Sequence, residues 1–94
     1  MSFSKFTQQD FDLINADYDA LMEVASGRCR NDSELAQIRK AFEFANEAHK
    51  DVRRRSGEPY MLHPIAVARI VVENIGLGYK SICAALLHDV VEDT

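Results

Sequence analysis

Acidic side chains and a histidine concentrate near the end of the sequence, in the segment His88-Asp89-Val-Val-Glu92-Asp93. In a helix, Asp89 would share a stripe with Leu86, three residues earlier, and would face the interior. An ionised carboxylate in that position is costly unless it is paired or bound to a metal. If the helix continues, Glu92 and Asp93 follow one turn after His88 and Asp89, on the same face. On spacing alone a solvated acidic helix end is the favoured interpretation, and a divalent-cation site that tolerates the clustered acids is the alternative.

Two further histidines precede this cluster. His63 stands directly before Pro64, where a helix is expected to begin, and considered alone it is typical of a cap or a surface residue. His49 falls on an apolar helical stripe, which favours a histidine packed in the core. Neither position by itself predicts a metal ligand.

A basic loop is the other concentration of polar groups. Arg53, Arg54 and Arg55 are followed by Ser-Gly-Glu-Pro-Tyr, a stretch without apolar period. A guanidinium can donate two hydrogen bonds to a phosphate and can lie flat on a base. Three arginines on a loop are more often a solvated basic patch, and the adjacent Gly57 and Pro59, which fix an unusual backbone path, strengthen the alternative of a loop that binds a ligand.

The residues that must position these groups recur with a helical period, and no strand alternation is evident. Thr7, with Asp10 three residues later, predicts a capping box that opens a first helix, and Gly27 predicts its end. The apolar stripe of this helix is expected to comprise Phe11, Ile14, Tyr18, Leu21 and Ala25.

Three more helices are expected. Asn31 and Glu34 predict a second capping box, and the helix after it should run to about residue 50. A third helix should begin at Pro64, with His63 at its cap, and Gly76 and Gly78 should bracket its end. The stripes of the second, third and fourth helices comprise, in order, Leu35, Ile38, Phe42, Ala45 and His49; Ile65, Ala68, Val72 and Ile75; and Ile82, Ala85, Leu86 and Asp89.

The composition is that of one small globular domain, with 94 residues and a net charge of −4. This charge disfavours a general nucleic-acid binder, since such proteins need a basic surface. The chain has no apolar run long enough to span a membrane and no secretory signal at its start. Cys29 and Cys83 fit no metal-binding spacing, so reduced thiols in a cytoplasmic protein are expected.

Two blocks of sequence together resemble a known family. The first runs from Arg54 to Tyr60 and is followed by His63-Pro64, and the second runs from residue 84 to residue 94. In this order and at this separation they resemble the start of the His-Asp (HD) type hydrolase domain of the RelA/SpoT homologue family. The resemblance implies an all-α fold, the N-terminal part of a helical bundle. Residues 1–40 would form leading helices and residues 41–94 the part that bears the motifs.

The resemblance also implies a reaction and a cofactor. Members of this family remove pyrophosphate from the 3′ position of (p)ppGpp, the alarmone of the bacterial stringent response, and they use Mn²⁺. By position in the two blocks, His63, His88 and Asp89 correspond to metal ligands, and Glu92 and Asp93 to the acidic pair needed for hydrolysis. The mixed nitrogen and oxygen donor set suits manganese.

The same resemblance assigns the guanine nucleotide to the basic loop. Arg54 corresponds to the arginine that packs on the guanine, and Arg55, Ser56 and Tyr60 would shape the rest of the pocket.

The family's fourth metal ligand lies in a later helix. The chain is therefore expected to be an inactive piece of a longer protein, one that also contains a (p)ppGpp synthetase domain. An apolar last helix with Leu86, Leu87 and Val90 exposed is expected to promote a homo-oligomer. Two alternatives remain: a non-catalytic helical fragment that self-associates, and a generic HD-superfamily nucleotide phosphohydrolase. The second leaves the block from Ser56 to Tyr60 unexplained.

Overall fold

The computed structural model describes residues 2–76 and 78–93, and the side chains of residues 4–76 and 78–90. Within these residues the chain forms four α-helices: α1 Gln8–Ala25, α2 Asp32–Ala48, α3 Leu62–Ile70 and α4 Tyr79–Asp93. The basic loop joins α2 to α3, as predicted, and the fold is all-α. The described part also contains a two-residue antiparallel pairing of β1 Ser2–Phe3 with β2 Val52–Arg53, which the sequence pattern did not indicate.

Helix α1 begins at the predicted capping box. The hydroxyl of Thr7 accepts a hydrogen bond from the Asp10 amide at 3.3 Å, and the Asp10 carboxylate accepts one from the Thr7 amide at 2.7 Å. The predicted stripe is buried except at Phe11, which is exposed. The ring of Phe11 instead packs edge-on against Phe6, with 5.8 Å between ring centroids. A 3₁₀ turn, Ser26–Arg28, contains the predicted stop Gly27.

Only one of the two hydrogen bonds of the predicted capping box forms at the start of α2. Asn31 accepts a hydrogen bond from the Glu34 amide at 3.0 Å. The Glu34 carboxylate, however, accepts from the amide of Arg30, one residue before the cap. The helix ends at Ala48 and places His49, as predicted, in the core.

Helix α3 begins two residues before the predicted start, at Leu62, so His63 lies in its first turn and is not its cap. The helix passes into a π turn, Val71–Ile75, closed by a hydrogen bond from the Gly76 amide to the Val71 carbonyl at 2.9 Å. Each residue of a π turn advances by a smaller angle than in an α-helix, which moves Ile75 off the buried stripe. Ile75 is 60% exposed, so its predicted burial is wrong. Gly76, with φ of +74°, ends the segment as predicted.

Helix α4 packs against both α2 and α3, and α1 packs against α3. Leu86 and Val90 are 0% and 6% exposed, so the expected exposed face of the last helix is wrong at these two positions. Both side chains are covered by the other helices of the same chain. Leu87 is half-buried and lines an open apolar groove with Phe44. Self-association stays a prediction. No described helix combines the length and apolar character needed to cross a lipid bilayer.

Candidate metal centre

Three side chains that could ligate a metal converge where the start of α3 meets the last turns of α4. His63 comes from the first turn of α3, and His88 and Asp89 come from α4. One donor atom of each lies within 4.8 Å of the other two. Two ligands of a single ion with bonds of roughly 2.1 Å can be at most about 4.2 Å apart, so the cluster is close to the size of one cation site. The structure thus brings together all three predicted ligands.

The tautomer of His88 is set by its own helix. Nδ1 lies 2.6 Å from the carbonyl oxygen of Ala85, which can only accept, so Nδ1 bears the proton. In the neutral ring Nε2 then presents a lone pair, and it lies 3.1 Å from Oδ1 of Asp89. A lone pair and a carboxylate oxygen repel each other at this distance unless a proton or a cation lies between them. The arrangement is therefore suited to a cation.

Asp89 is oriented by a tyrosine from the basic loop. The hydroxyl of Tyr60 donates a hydrogen bond to Oδ2 of Asp89 at 2.5 Å. The same Oδ2 lies 3.9 Å from Nε2 of His63. The Asp89 side chain is 14% exposed, in agreement with its predicted place on the buried stripe. Tyr60 also packs against His49 and His63, with ring-centroid distances of 4.9 and 5.8 Å.

The cluster is open to solvent on the side of the two histidines. The side chains of His63 and His88 are 35% and 37% exposed. A cation held here would keep coordination positions for water or for substrate oxygens, as catalytic sites require. Two imidazoles and one carboxylate are donors that borderline divalent metals accept. The residues present therefore fit a divalent cation.

The predicted acidic pair lies just beyond the described side chains. Helix α4 continues through Asp93, so the helical spacing of Glu92 from His88 and of Asp93 from Asp89 applies. The side chains of Glu92 and Asp93 are outside the described residues. Their catalytic assignment stays a prediction.

The basic loop forms a tight turn beside the cluster. The Arg54 amide donates to the Glu58 carbonyl at 3.0 Å, and the Gly57 amide donates to the Arg54 carbonyl at 2.9 Å. Gly57 has φ of +99°, which a side chain would strain. An open depression of about 640 Å³ is lined by Arg54, Arg55, Ser56, Glu58 and Tyr60. The four predicted nucleotide-binding residues thus lie together, and Tyr60 both lines the depression and contacts Asp89 of the metal cluster.

Glu58 is a lining residue that the sequence did not single out. A hydrogen bond from Ser56, with a contribution from the nearby Arg54 charge, holds the pKa of the Glu58 carboxyl below its usual value. The carboxylate is therefore ionised at neutral pH. It places a negative charge among the arginines and limits where the phosphates of a nucleotide can bind.

Two side-chain contacts of the described residues were not predicted from the sequence, for different reasons. The bond from His88 to Ala85 spans three residues and could have been found from helical spacing. The ion pair of Arg53 with Asp10 joins residues 43 apart, and no local pattern signals it.

The sequence matches a known family over the region that contains this site. The model of the HD domain family matches residues 41–94, more than half of the chain. The chain belongs to the HD domain family. The matched region contains all three residues of the metal cluster and the whole basic loop.

Three relatives show which HD proteins the chain resembles. The chain is 48% identical over 63 residues to the bifunctional (p)ppGpp synthase/hydrolase SpoT of Escherichia coli, which covers 67% of this chain and 9% of that protein. It is 48% identical over 58 residues to the guanosine-3′,5′-bis(diphosphate) 3′-pyrophosphohydrolase of Aquifex aeolicus, covering 62% of this chain and 8% of the relative. The enzyme of the same name from Vibrio cholerae is 42% identical over 76 residues, covering 81% of this chain and 10% of the relative. The predicted resemblance to RelA/SpoT proteins is confirmed, and the chain spans at most about a tenth of each of these relatives.

Proposed function

We propose that this chain is part of a Mn²⁺-dependent (p)ppGpp 3′-pyrophosphohydrolase domain. The reaction would release pyrophosphate from the 3′ position of ppGpp or pppGpp and give GDP or GTP. One observation carries the proposal: the ligands His63, His88 and Asp89 lie beside the arginine-lined depression, and Tyr60 contacts both. The names of the relatives support the substrate.

The metal would be held by Nε2 of His88, a carboxylate oxygen of Asp89 and a ring nitrogen of His63. Helix α4 fixes the His88 ring through Ala85, and Tyr60 fixes the Asp89 carboxylate. When bound, a divalent cation supplies Lewis-acid stabilisation of phosphoryl oxygens and lowers the pKa of a water molecule. Manganese is the proposed metal because nitrogen and carboxylate donors without thiolates suit it.

The basic loop would bind the guanine nucleotide. Arg54 and Arg55 are exposed, so each guanidinium is free to reach phosphate oxygens or to lie on the base. We assign the guanine to Arg54 and the rest of the pocket to Arg55, Ser56 and Tyr60. Because the Tyr60 hydroxyl is engaged with Asp89, Tyr60 would offer its ring to the nucleotide.

Glu92 and Asp93 are proposed to position the attacking water and accept its proton. The continuation of α4 through Asp93 supports this role, since the pair follows the ligands by one helical turn.

The longer protein is proposed to be cytoplasmic and to contain a synthetase domain, since the Escherichia coli relative is named as both synthase and hydrolase. These 94 residues are proposed to be inactive alone, because the three candidate ligands lie on an open surface that would hold Mn²⁺ only weakly. A generic HD-superfamily phosphohydrolase is the weaker alternative. It gives no reason for the depression formed by the block from Ser56 to Tyr60 next to the metal cluster.

A direct test uses a longer protein that contains this segment. We expect manganese-dependent release of pyrophosphate from ppGpp, and no phosphate release from GTP or deoxynucleoside triphosphates. Equal activity on those nucleotides would favour the generic phosphohydrolase. Absence of any manganese-dependent activity would contradict both.

A further inference from the structure

Arg53 differs from the two arginines that follow it. Arg54 and Arg55 are exposed and line the depression, whereas the side chain of Arg53 is 14% exposed and is not part of that lining. Its guanidinium lies between the loop and the N-terminal segment, residues 4–10. The sequence alone grouped all three arginines in one basic run.

The guanidinium of Arg53 donates four hydrogen bonds. Nε donates to the Ser4 carbonyl at 3.2 Å, and Nη2 donates to the Lys5 carbonyl at 2.9 Å and to Oδ2 of Asp10 at 2.7 Å. Nη1 donates to the Gly57 carbonyl at 3.0 Å. Three of these bonds reach the N-terminal segment and one reaches the tip of the basic loop. The planar fork of arginine is what permits bonds in both directions.

Two further contacts strengthen the same junction. The Arg53 Cζ atom lies 5.3 Å from the centroid of the buried Phe6 ring. The Phe6 amide donates to Oδ1 of Asp51 at 2.8 Å, and Asp51 lies two residues before Arg53. The N-terminal segment is therefore held against the base of the loop by charge, by hydrogen bonds and by an aromatic contact.

We propose that Arg53 is a positioning residue that fixes the nucleotide-binding loop to the N-terminal segment. This rests on the proposed function of the loop. Four of the five N–H groups of Arg53 are already bonded to protein oxygens and the side chain is 14% exposed, so Arg53 acts through the loop and not on the nucleotide. A loop already fixed in the free protein loses less conformational entropy when the nucleotide binds. Arg53 thereby raises the affinity that Arg54 and Arg55 can provide.

The test is the variant Arg53→Ala in the full chain, with three measurements. Hydrogen exchange of the loop amides should become about tenfold faster, because they would open without global unfolding. These amides include Arg54, Gly57 and Tyr60, each of which is hydrogen-bonded in the structure. Binding of ppGpp in the presence of Mn²⁺ should weaken about tenfold, whereas Mn²⁺ affinity, measured without nucleotide, should change less than about twofold.

Companion variants separate positioning from general destabilisation. Arg53→Lys keeps a charge near Asp10 without the fork, so it should restore part of the loop protection. Arg69→Ala is the matched control, because it removes an ion pair of similar length, 2.8 Å to Glu73, from the surface of α3. The hydrogen-exchange rate of the loop amides should be unchanged in Arg69→Ala.

Two results would overturn the proposal. One is an unchanged hydrogen-exchange rate of the loop amides in Arg53→Ala. The other is an equal increase of the hydrogen-exchange rate in all helices, together with loss of Mn²⁺ affinity. If the unmodified chain binds no ppGpp, the proposed function of the loop fails, and the exchange data still decide whether Arg53 positions it.

Discussion

The Tyr60 hydroxyl lies 2.5 Å from Oδ2 of Asp89 and joins the basic loop to the metal cluster. Asp89 has one oxygen near each histidine, so the tyrosine contact selects how its carboxylate is turned. Partners of this kind orient metal ligands and affect metal affinity without touching the ion.

Removing that hydroxyl should weaken the metal site. Tyr60→Phe should raise the Kd for Mn²⁺ by about tenfold, because the Asp89 carboxylate loses the donor that orients it. Isothermal titration of the chain with MnCl₂ measures this effect. Tyr79→Phe, the same chemical change at the start of α4, is the control and should bind Mn²⁺ like the unmodified chain. Equal affinities for both variants would show that Asp89 needs no orienting partner.

The ligands themselves should be indispensable in a longer protein that contains this segment. His88→Ala or Asp89→Ala should abolish Mn²⁺ binding and (p)ppGpp hydrolysis, since both donors come from one turn of α4. Any synthetase activity should remain, because the substitutions affect only the hydrolase centre. The measurements are bound manganese by elemental analysis and pyrophosphate release from ppGpp. Retained hydrolysis in His88→Ala would refute the assignment of the metal site.

Arg54 should contribute to nucleotide binding and not to metal binding. Arg54→Ala should weaken ppGpp binding by roughly 1–3 kcal/mol, the usual contribution of a side chain that stacks on a base. Mn²⁺ affinity should be unchanged, because Arg54 is not part of the metal cluster. Arg54→Lys should be impaired as well, since an ammonium keeps the charge but lacks the plane. Full affinity in Arg54→Lys would reduce the role of Arg54 to an electrostatic contact.

The ion pair of Asp10 with Arg53 should make part of the stability depend on pH. The hydrogen bond from Arg53, together with that from the Thr7 amide, holds the pKa of the Asp10 carboxyl well below its ordinary value of 3.8. A lowered pKa in the folded state stabilises the protein above the unfolded value, and this stabilisation is lost as pH falls below about 4. The Tm of Asp10→Asn should therefore be below that of the unmodified chain at pH 7.

Below about pH 4 the two melting temperatures should converge, because the unfolded chain then binds a proton at Asp10 that the folded chain resists. Thermal melts followed by circular dichroism over this range give the comparison. A constant difference from neutral to acidic pH would mean that the Asp10 charge does not stabilise the fold.

The helices were predictable from the sequence for two reasons. Buried apolar residues recur along the chain with the helical period, and helix caps are formed by residues close together in sequence. The stripe of α4 predicted that Asp89 faces the interior, and the capping box of Thr7 and Asp10 predicted the start of α1. Two of the failures lie at the two ends of α3. The π turn after Ile70 displaced Ile75, and α3 began before the proline that should have opened it.

The site was predictable as a set of residues but not as a network. The sequence blocks predicted the three residues of the metal cluster and the loop, since these are contiguous stretches. The contacts that orient them join distant positions: Tyr60 and Asp89 are 29 residues apart, and Arg53 and Asp10 are 43 apart. Such pairs are determined by how the helices pack. The sequence therefore grouped Arg53 with Arg54 and Arg55 in one basic run and gave Tyr60 only a nucleotide role.

The last prediction concerns the 94 residues by themselves. We expect them to bind Mn²⁺ weakly and to release no pyrophosphate from ppGpp. The described side chains provide three ligands, and more than a third of each histidine side chain is exposed to solvent. Sites with three protein ligands exist, so the number alone does not decide the outcome. The identity of the metal decides it. Manganese stands at the weak end of the divalent affinity order, and an open site loses such an ion first.

Zinc provides the internal comparison for this prediction. The same donors should bind Zn²⁺ more tightly than Mn²⁺, since zinc stands higher in that order and accepts three protein ligands plus water. Titration with both metals, followed by a pyrophosphate assay at saturating Mn²⁺, tests the two parts separately. Tight manganese binding would show that these three ligands suffice to hold the ion. Turnover of ppGpp would show that the water and the nucleotide are positioned by residues of this chain alone.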